Sequence, residues 1–325
     1  MDTSSGKVME LTTAVGRYVF DGCHLSIGGF TINRNPMAAV YEIIRQKKRN
    51  LHLYAHSNGQ GVDELIGAGC VDRLEIAYGG SGRFAPTCIR FRKAVESGRV
   101  LVEDYSNYQM TLRFMAGAMG VPFLPTRSSL GSSIVEKWGF SENRRRGDDR
   151  LPDQKLVVME NPFDGWIDTA KVVLVPAIHP DVTVIHVQKA DRHGNARIKG
   201  LPFVDVEQAK SAAHVIITCE ELVEADELRE NPDLNQIPPF IVDAVVPIPH
   251  GAYPTACYGH YDYDPVFLKH YAALAKNETT YRDYLDNHIR ASATHEEFLA
   301  QAAGNRLESL KADPVTGYAR NLDRR

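Results

Sequence analysis

The feature that most constrains this chain is a repeated order: a short apolar run of β type, a glycine turn, then a segment with helical spacing. Its first instance is Asp21 to Pro36, DGCHLSIGGFTINRNP, where Leu25 and Ile27 alternate into Gly28 and Gly29 and Ala38 to Gln46 follows with helical spacing. Such units in series predict an α/β fold, a mainly parallel sheet with helices on both faces. Gly28 and Gly29 have no side chains, so a ligand can approach the backbone, and their amides can face an anion or a developing oxyanion. Taken alone, the turn reads first as a plain tight connection. Pro36 sets φ at the helix start.

The order recurs along the chain. Leu51 to Ala55 and Leu74 to Tyr78 read as strands, and between them Asn58, Gly59 and Gly61 make a turn, with Asp63 as the cap of a helix that Gly67 and Gly69 end. The strand at Leu74 opens into GGSGRF. Gly79, Gly80, Ser81 and Gly82 therefore fall where ligands collect in open α/β sheets, although a glycine turn with a capping serine explains them equally well. Cys88 to Val95 reads as a basic helix and Val100 to Val102 as a strand, whose Glu103 and Asp104 read as the cap of a helix from Asn107 to Met119. In PFLPTRSSLGSS, Ser132 and Ser133 offer donors to an anion, though serine-rich turns are usually only connections. Residues 138–155 are polar and read as an exposed excursion or small lid.

The second half restarts the sheet with Lys171 to Pro176 and VTVIHVQKADRHGNARI, which places a buried, hydrogen-bonded His186 in a strand and a hairpin at Asp191 to Asn195. Val215 to Thr218 leads into Glu220 and Glu221, a pair that invites assignment as a nucleophile, and Val242 to Val246 is one more strand. The aromatic and histidine content that follows, His250, Tyr253, Tyr258, His260 and Tyr261, reads as an interface. Asp264 to Leu310 carries amphipathic helices packed on the sheet, and the last residues, GYARNLDRR, read as loosely held.

Composition narrows the function. A length of 325 residues buries a substantial core without staples, and a net charge of −4 creates no global field for nucleic acid or an anionic membrane, so neither is expected as a partner. The five cysteines, Cys23, Cys70, Cys88, Cys219 and Cys257, show neither CxxC spacing nor paired histidines, so no disulfide framework and no metal site is expected. No apolar run reaches the roughly 20 residues of a membrane span, and MDTSSGKVMELTTAV has no apolar signal core; a cytoplasmic location is the expectation.

The motifs DG..L.IGGF...R.P, PFLP...LGS, AD..GNA, TCEE, VDAVV and PHGA.P..CYG.YDYD, in that order, resemble the A (alpha) subunits of family I coenzyme A transferases from Asp21 to about Asp264. One position departs from the general pattern. Arg34 stands where most members carry glycine, and that variant resembles the glutaconate CoA-transferase branch, whose substrates are dicarboxylic acids. The resemblance implies the CoA-transferase (ribose-phosphate-isomerase-like) fold with a small additional β portion. It also implies a single A-subunit domain over 1–325 that includes the 138–155 excursion and a helical tail at 264–325.

It implies an A2B2 assembly in which a B subunit supplies the nucleophilic glutamate, so no catalytic residue is expected in this chain and Glu220 does not take that role. Coenzyme A esters and carboxylic acids would be substrates, with no further cofactor. In that frame the amides of Gly28 and Gly29, with Phe30, would face the thioester oxygen, and Ser81, with Gly80 and Ser132, the acid. Arg34 would pair with a distal carboxylate, an assignment that rests on bidentate guanidinium–carboxylate geometry. Two relatives of the scaffold remain alternatives, a glutaconyl-CoA-type decarboxylase and a ring-opening acyl-CoA hydrolase. The hydrolase would need a glutamate near position 107, where this chain has Asn107.

Overall fold

The computed structural model describes residues 6–163, 170–322 and 324. Residues 1–5 of the amino-terminal stretch, and 323 and 325 of the tail, lie outside them. The first half supplies β1 (His24–Ile27), β2 (Leu51–Asn58), β3 (Val71–Gly79) and β4 (Leu101–Asp104), and then β5 (Phe123–Thr126), β6 (Val157–Glu160) and β7 (Lys171–Pro176). The second half adds β8 (Val182–Asp191), β9 (Ala196–Arg197), β10 (His214–Val223) and β11 (Ala244–Pro247). The main sheet has the order β11-β10-β8-β1-β2-β3-β4, all parallel, with β9 returning antiparallel on β8 as the hairpin expected at Asp191 to Asn195. The chain thus winds outward from β1 to one edge, then from β8 to the other. Between β1 and β8 the winding reverses, the place where open sheets of this class bind ligands. β5, β7 and β6 form a separate antiparallel sheet.

Parallel strands joined by crossovers must be covered on both faces. On one face lie α1 (Leu11–Tyr18), α2 (Met37–Arg45), α3 (Gln60–Gly67) and α4 (Ile89–Glu96); on the other, α5 (Asn107–Met119) packs against α8 (Asp205–Ser211). The short helices α6 (Ser133–Glu136), α7 (Glu142–Arg146) and α9 (Ala225–Arg229) sit in connections. The carboxyl-terminal helices α10 (Pro265–Leu274), α11 (Glu278–Tyr284), α12 (His295–Ala302) and α13 (Arg306–Leu310) join the first helical layer. They are held to that layer by hydrogen bonds: Tyr284 Oη donates to Glu64 Oε1 at 2.7 Å and Tyr271 Oη to Asp63 Oδ2 at 2.8 Å, both on α3.

Several local expectations change. Asp63 is no cap; Gly59 precedes the helix, and buried Asp63 accepts from the Phe91 amide at 2.7 Å and from Tyr271. Glu103 and Asp104 do not cap α5 either, because Ser106 and Gln109 form a capping box there. Glu103 is buried against Arg145 and the Gly139 amide, and Asp104 meets Lys155. Those contacts define the 138–155 excursion as a strap, not a lid: Asp148 pairs with Arg73 at the start of β3, and Arg150 with Asp181 just before β8. The histidine- and tyrosine-rich stretch is largely core, with Tyr253 and Tyr261 buried. The tail is held too, through the Ala319 amide and Arg324 on Asp262.

Candidate active site

Three glycine-bearing loops meet at the carboxyl ends of β1, β2 and β3. After the fully buried β1, a Cβ on Gly28 would collide with Ile185 and stand 2.9 Å from Asp205 Oδ2; on Gly29, where φ is +87°, it would lie 2.6 Å from the Arg34 carbonyl. These glycines therefore admit the chain's own atoms. Their amides are also committed: Gly28 N–H donates to Val184 O at 2.9 Å, Gly29 N–H to Asp205 Oδ1 at 3.0 Å and Phe30 N–H to Asn33 O at 2.8 Å. The Gly28 and Gly29 amides expected to face a thioester oxygen are thus bonded within the chain.

Arg34 is engaged as well. Its side chain is 3% exposed, and its guanidinium donates to Asp205 Oδ2 at 2.8 Å, His186 O at 3.0 Å and Leu201 O at 3.1 Å. Both of its terminal nitrogens are thus engaged within the chain. Burial pushes the Asp205 carboxyl above its ordinary range, opposed by Arg34 and the Gly29 amide. With the Phe30–Phe203 stack, whose centroids are 4.7 Å apart, this pair fills the crevice where the winding reverses.

At the end of β2, Asn58 ties the loops together, donating to Gly28 O at 3.0 Å and accepting from the Val62 amide at 3.1 Å. The Thr31 amide donates to Ser57 O at 2.9 Å. Ser57 Oγ donates to Asn107 Oδ1, so the start of α5 enters the same cluster. His56 Nε2 lies 3.1 Å from Asn107 O, and a carbonyl only accepts, so Nε2 carries the hydrogen. Nδ1 of that ring is a buried acceptor with no hydrogen-bond partner among the described residues, and burial holds the ring's pKa below its ordinary value. The Phe30 ring lies 5.7 Å away.

At the end of β3, Gly80 is glycine because a Cβ would strike Tyr78, and Ser81 stands against the Gly59 backbone. Ser81 is 4% exposed, its Oγ is 3.7 Å from Cys88 Sγ, and that thiol donates to Gly59 O at 3.4 Å. Burial, with Asp63 nearby, pushes the Cys88 thiol far up, so it is no thiolate nucleophile. Gly28, Gly29, Phe30, Gly80 and Ser81 thus converge, with Arg34 beneath them. Ser132 does not join them by a hydrogen bond; its hydroxyl donates back to Ser129 O at 2.8 Å.

Glu220 is committed rather than nucleophilic. Oε1 accepts from His186 Nε2 at 2.7 Å and Tyr261 Oη at 2.6 Å, and Oε2 from the His250 amide at 2.7 Å. Burial alone would raise its pKa, but these donors bring it below the ordinary value. His186, Glu220 and Cys257 have donor atoms within 4.8 Å of one another, yet both His186 nitrogens and both Glu220 oxygens are already bonded within the protein. Sequence reasoning misses His56 and Asp205. The available signals are a polar residue just before a strand-end turn and an acid two residues after Phe203 at a helix start.

The arrangement can orient and hydrogen-bond a substrate at the strand ends; the acids described above are held in internal ion pairs and hydrogen bonds. Similarity to known proteins reaches beyond the Asp21 to Asp264 stretch, over nearly the whole chain. The family description Coenzyme A transferase matches residues 8–247. The chain is 39% identical over 312 residues to the A subunit of the glutaconate CoA-transferase of Acidaminococcus fermentans, covering 96% of this chain and 97% of that one. The crystal structure of that organism's glutaconate coenzyme A-transferase superposes with a TM-score of 0.92 over 98% of each chain. The A subunit of the 3-oxoadipate CoA-transferase of Pseudomonas knackmussii is 33% identical over 91% of this chain and 98% of its own. A crystal structure of the decarboxylase AibA/AibB matches at 32% identity and a TM-score of 0.70, covering 87% of this chain and 99% of its own.

Proposed function

The chain belongs to the coenzyme A transferase family, and from that premise we propose that it is the A subunit of a two-subunit enzyme moving coenzyme A between a dicarboxylic acyl-CoA, of the glutaconate kind, and a carboxylate acceptor. The observation that carries this reading is the 39% identity, along 96% of the chain, to the A subunit of a glutaconate CoA-transferase. The chemistry supports it. An exchange of this type proceeds through a carboxylate nucleophile that forms an acyl anhydride and then an enzyme thioester. The acids at the strand ends here are tied up, which fits a nucleophile brought by a partner subunit. This chain would then supply the surface around His56, Ser81 and Asn107 on which the acyl group is oriented.

The test uses this chain co-expressed with its partner subunit, incubated with glutaconyl-CoA and labelled acetate, trapped with borohydride and mapped by mass spectrometry. Label in acetyl-CoA together with a reduced glutamate on the partner establishes the transfer. Carbon dioxide release without label in any CoA ester assigns the pair to decarboxylation instead.

A further inference from the structure

With Arg34 paired to Asp205, a second carboxylate calls for another guanidinium, and the small sheet offers one. In the register of β5, β7 and β6, Leu124, Val173 and Val175 turn toward the core that includes Phe114 and Met110 of α5. Phe123, Pro125, Leu174, Val172 and Met159 alternate onto the opposite face. That face walls a groove of about 860 Å³. β5 packs along α5, so its end, Thr126 to Ser128, reaches the groove together with Tyr108. Tyr108 follows Asn107, the residue bonded to Ser57 and His56. The groove therefore opens beside the strand-end cluster.

Arg127 lines this groove, exposed and with no ion pair among the described residues, whereas Arg34, Arg113 and Arg145 are each buried on a carboxylate. An apolar wall ending in an unpaired guanidinium is complementary to a short aliphatic chain that ends in a carboxylate: the wall takes the methylenes and the planar fork takes both oxygens. We propose that this groove seats the acyl chain of a dicarboxylic acid thioester and that Arg127 binds its distal carboxylate, making Arg127 the specificity-determining residue. The assignment rests on the transferase reading above.

The experiment compares wild-type, Arg127→Met and Arg127→Lys in the complex with the partner subunit, using glutaryl-CoA and butyryl-CoA as donors to acetate. Loss of a charge-assisted pair predicts that the ratio of kcat/KM for glutaryl-CoA over butyryl-CoA falls about 30-fold in Arg127→Met, through KM, with partial recovery in Arg127→Lys. An unchanged ratio, whether activity is kept or lost on both donors, overturns the proposal. So does an Arg127→Met chain that no longer assembles, because the groove is then covered by the partner. Should the wild-type complex transfer nothing, the transferase reading fails by itself. Glutarate and butyrate binding by calorimetry then decides the subsite, which requires a glutarate preference that Arg127→Met abolishes.

Discussion

Arg34 and Asp205 stand 171 positions apart in sequence and 2.8 Å apart in the fold, both out of solvent. Between them they hold the Gly29 amide and the His186 carbonyl, so one ion pair ties the first glycine loop to β8 and α8. Removing one member of a buried pair strands the other charge at a cost of about 3–5 kcal/mol. Arg34→Met should therefore lower stability by about that amount in chemical unfolding, and adding Asp205→Asn should restore part of it, since asparagine keeps an oxygen for the Gly29 amide without the charge. A stable Arg34→Met protein impaired only toward dicarboxylic substrates would return Arg34 to the substrate. The same residues mark where sequence reasoning stops. The glycines are legible as a turn from their neighbours, but the atoms occupying their amides come from Val184 and Asp205, and no local pattern announces them.

Elements are more legible than sites because apolar periodicity is local and pairing is not. The sequence pattern places α5 at Asn107 to Met119 and β7 at Lys171 to Pro176, which are their observed bounds. It makes β2 too short, since His56, Ser57 and Asn58 break the apolar run while the ladder to β3 continues through Asn58 and Gly79. α3 shows what an element's neighbours add. Its Glu64 is buried among Tyr281, Tyr284 and Gln60, and burial pushes its pKa up to about 8 from an ordinary 4.5. The folded chain therefore holds a proton that the unfolded chain releases, and stability falls as pH rises from about 4.5 to about 8. Glu64→Gln should flatten that slope, raising the unfolding temperature over wild type at pH 8.5 and leaving it nearly level at pH 5. A gain equal at both pH values would show that ionisation of Glu64 is not its source.

At the scale of the molecule, the two halves of the chain meet at β1 and β8, and the crevice there is filled from within by Arg34, Asp205, Phe30 and Phe203. The surface left for chemistry shifts to the ends of β2 and β3 and the start of α5, next to the groove of the small antiparallel sheet. Phe123, Met159 and Tyr108 are 44%, 40% and 56% exposed along that groove, the apolar wall assigned above to the acyl chain. Glu103 and Glu220 are engaged by buried donors, and all five cysteines are buried. On the proposed reading, the protein alone can bind but not turn over. Purified by itself, it should transfer no label from acyl-CoA to acetate, and activity should rise linearly with added partner subunit to a plateau at equimolar chains. Because the partner would contribute only the nucleophile and its own wall, replacing that glutamate by glutamine should abolish transfer while leaving assembly unchanged. Turnover by this chain without a partner would require a nucleophile within it, and mass spectrometry of the trapped intermediate would identify the residue.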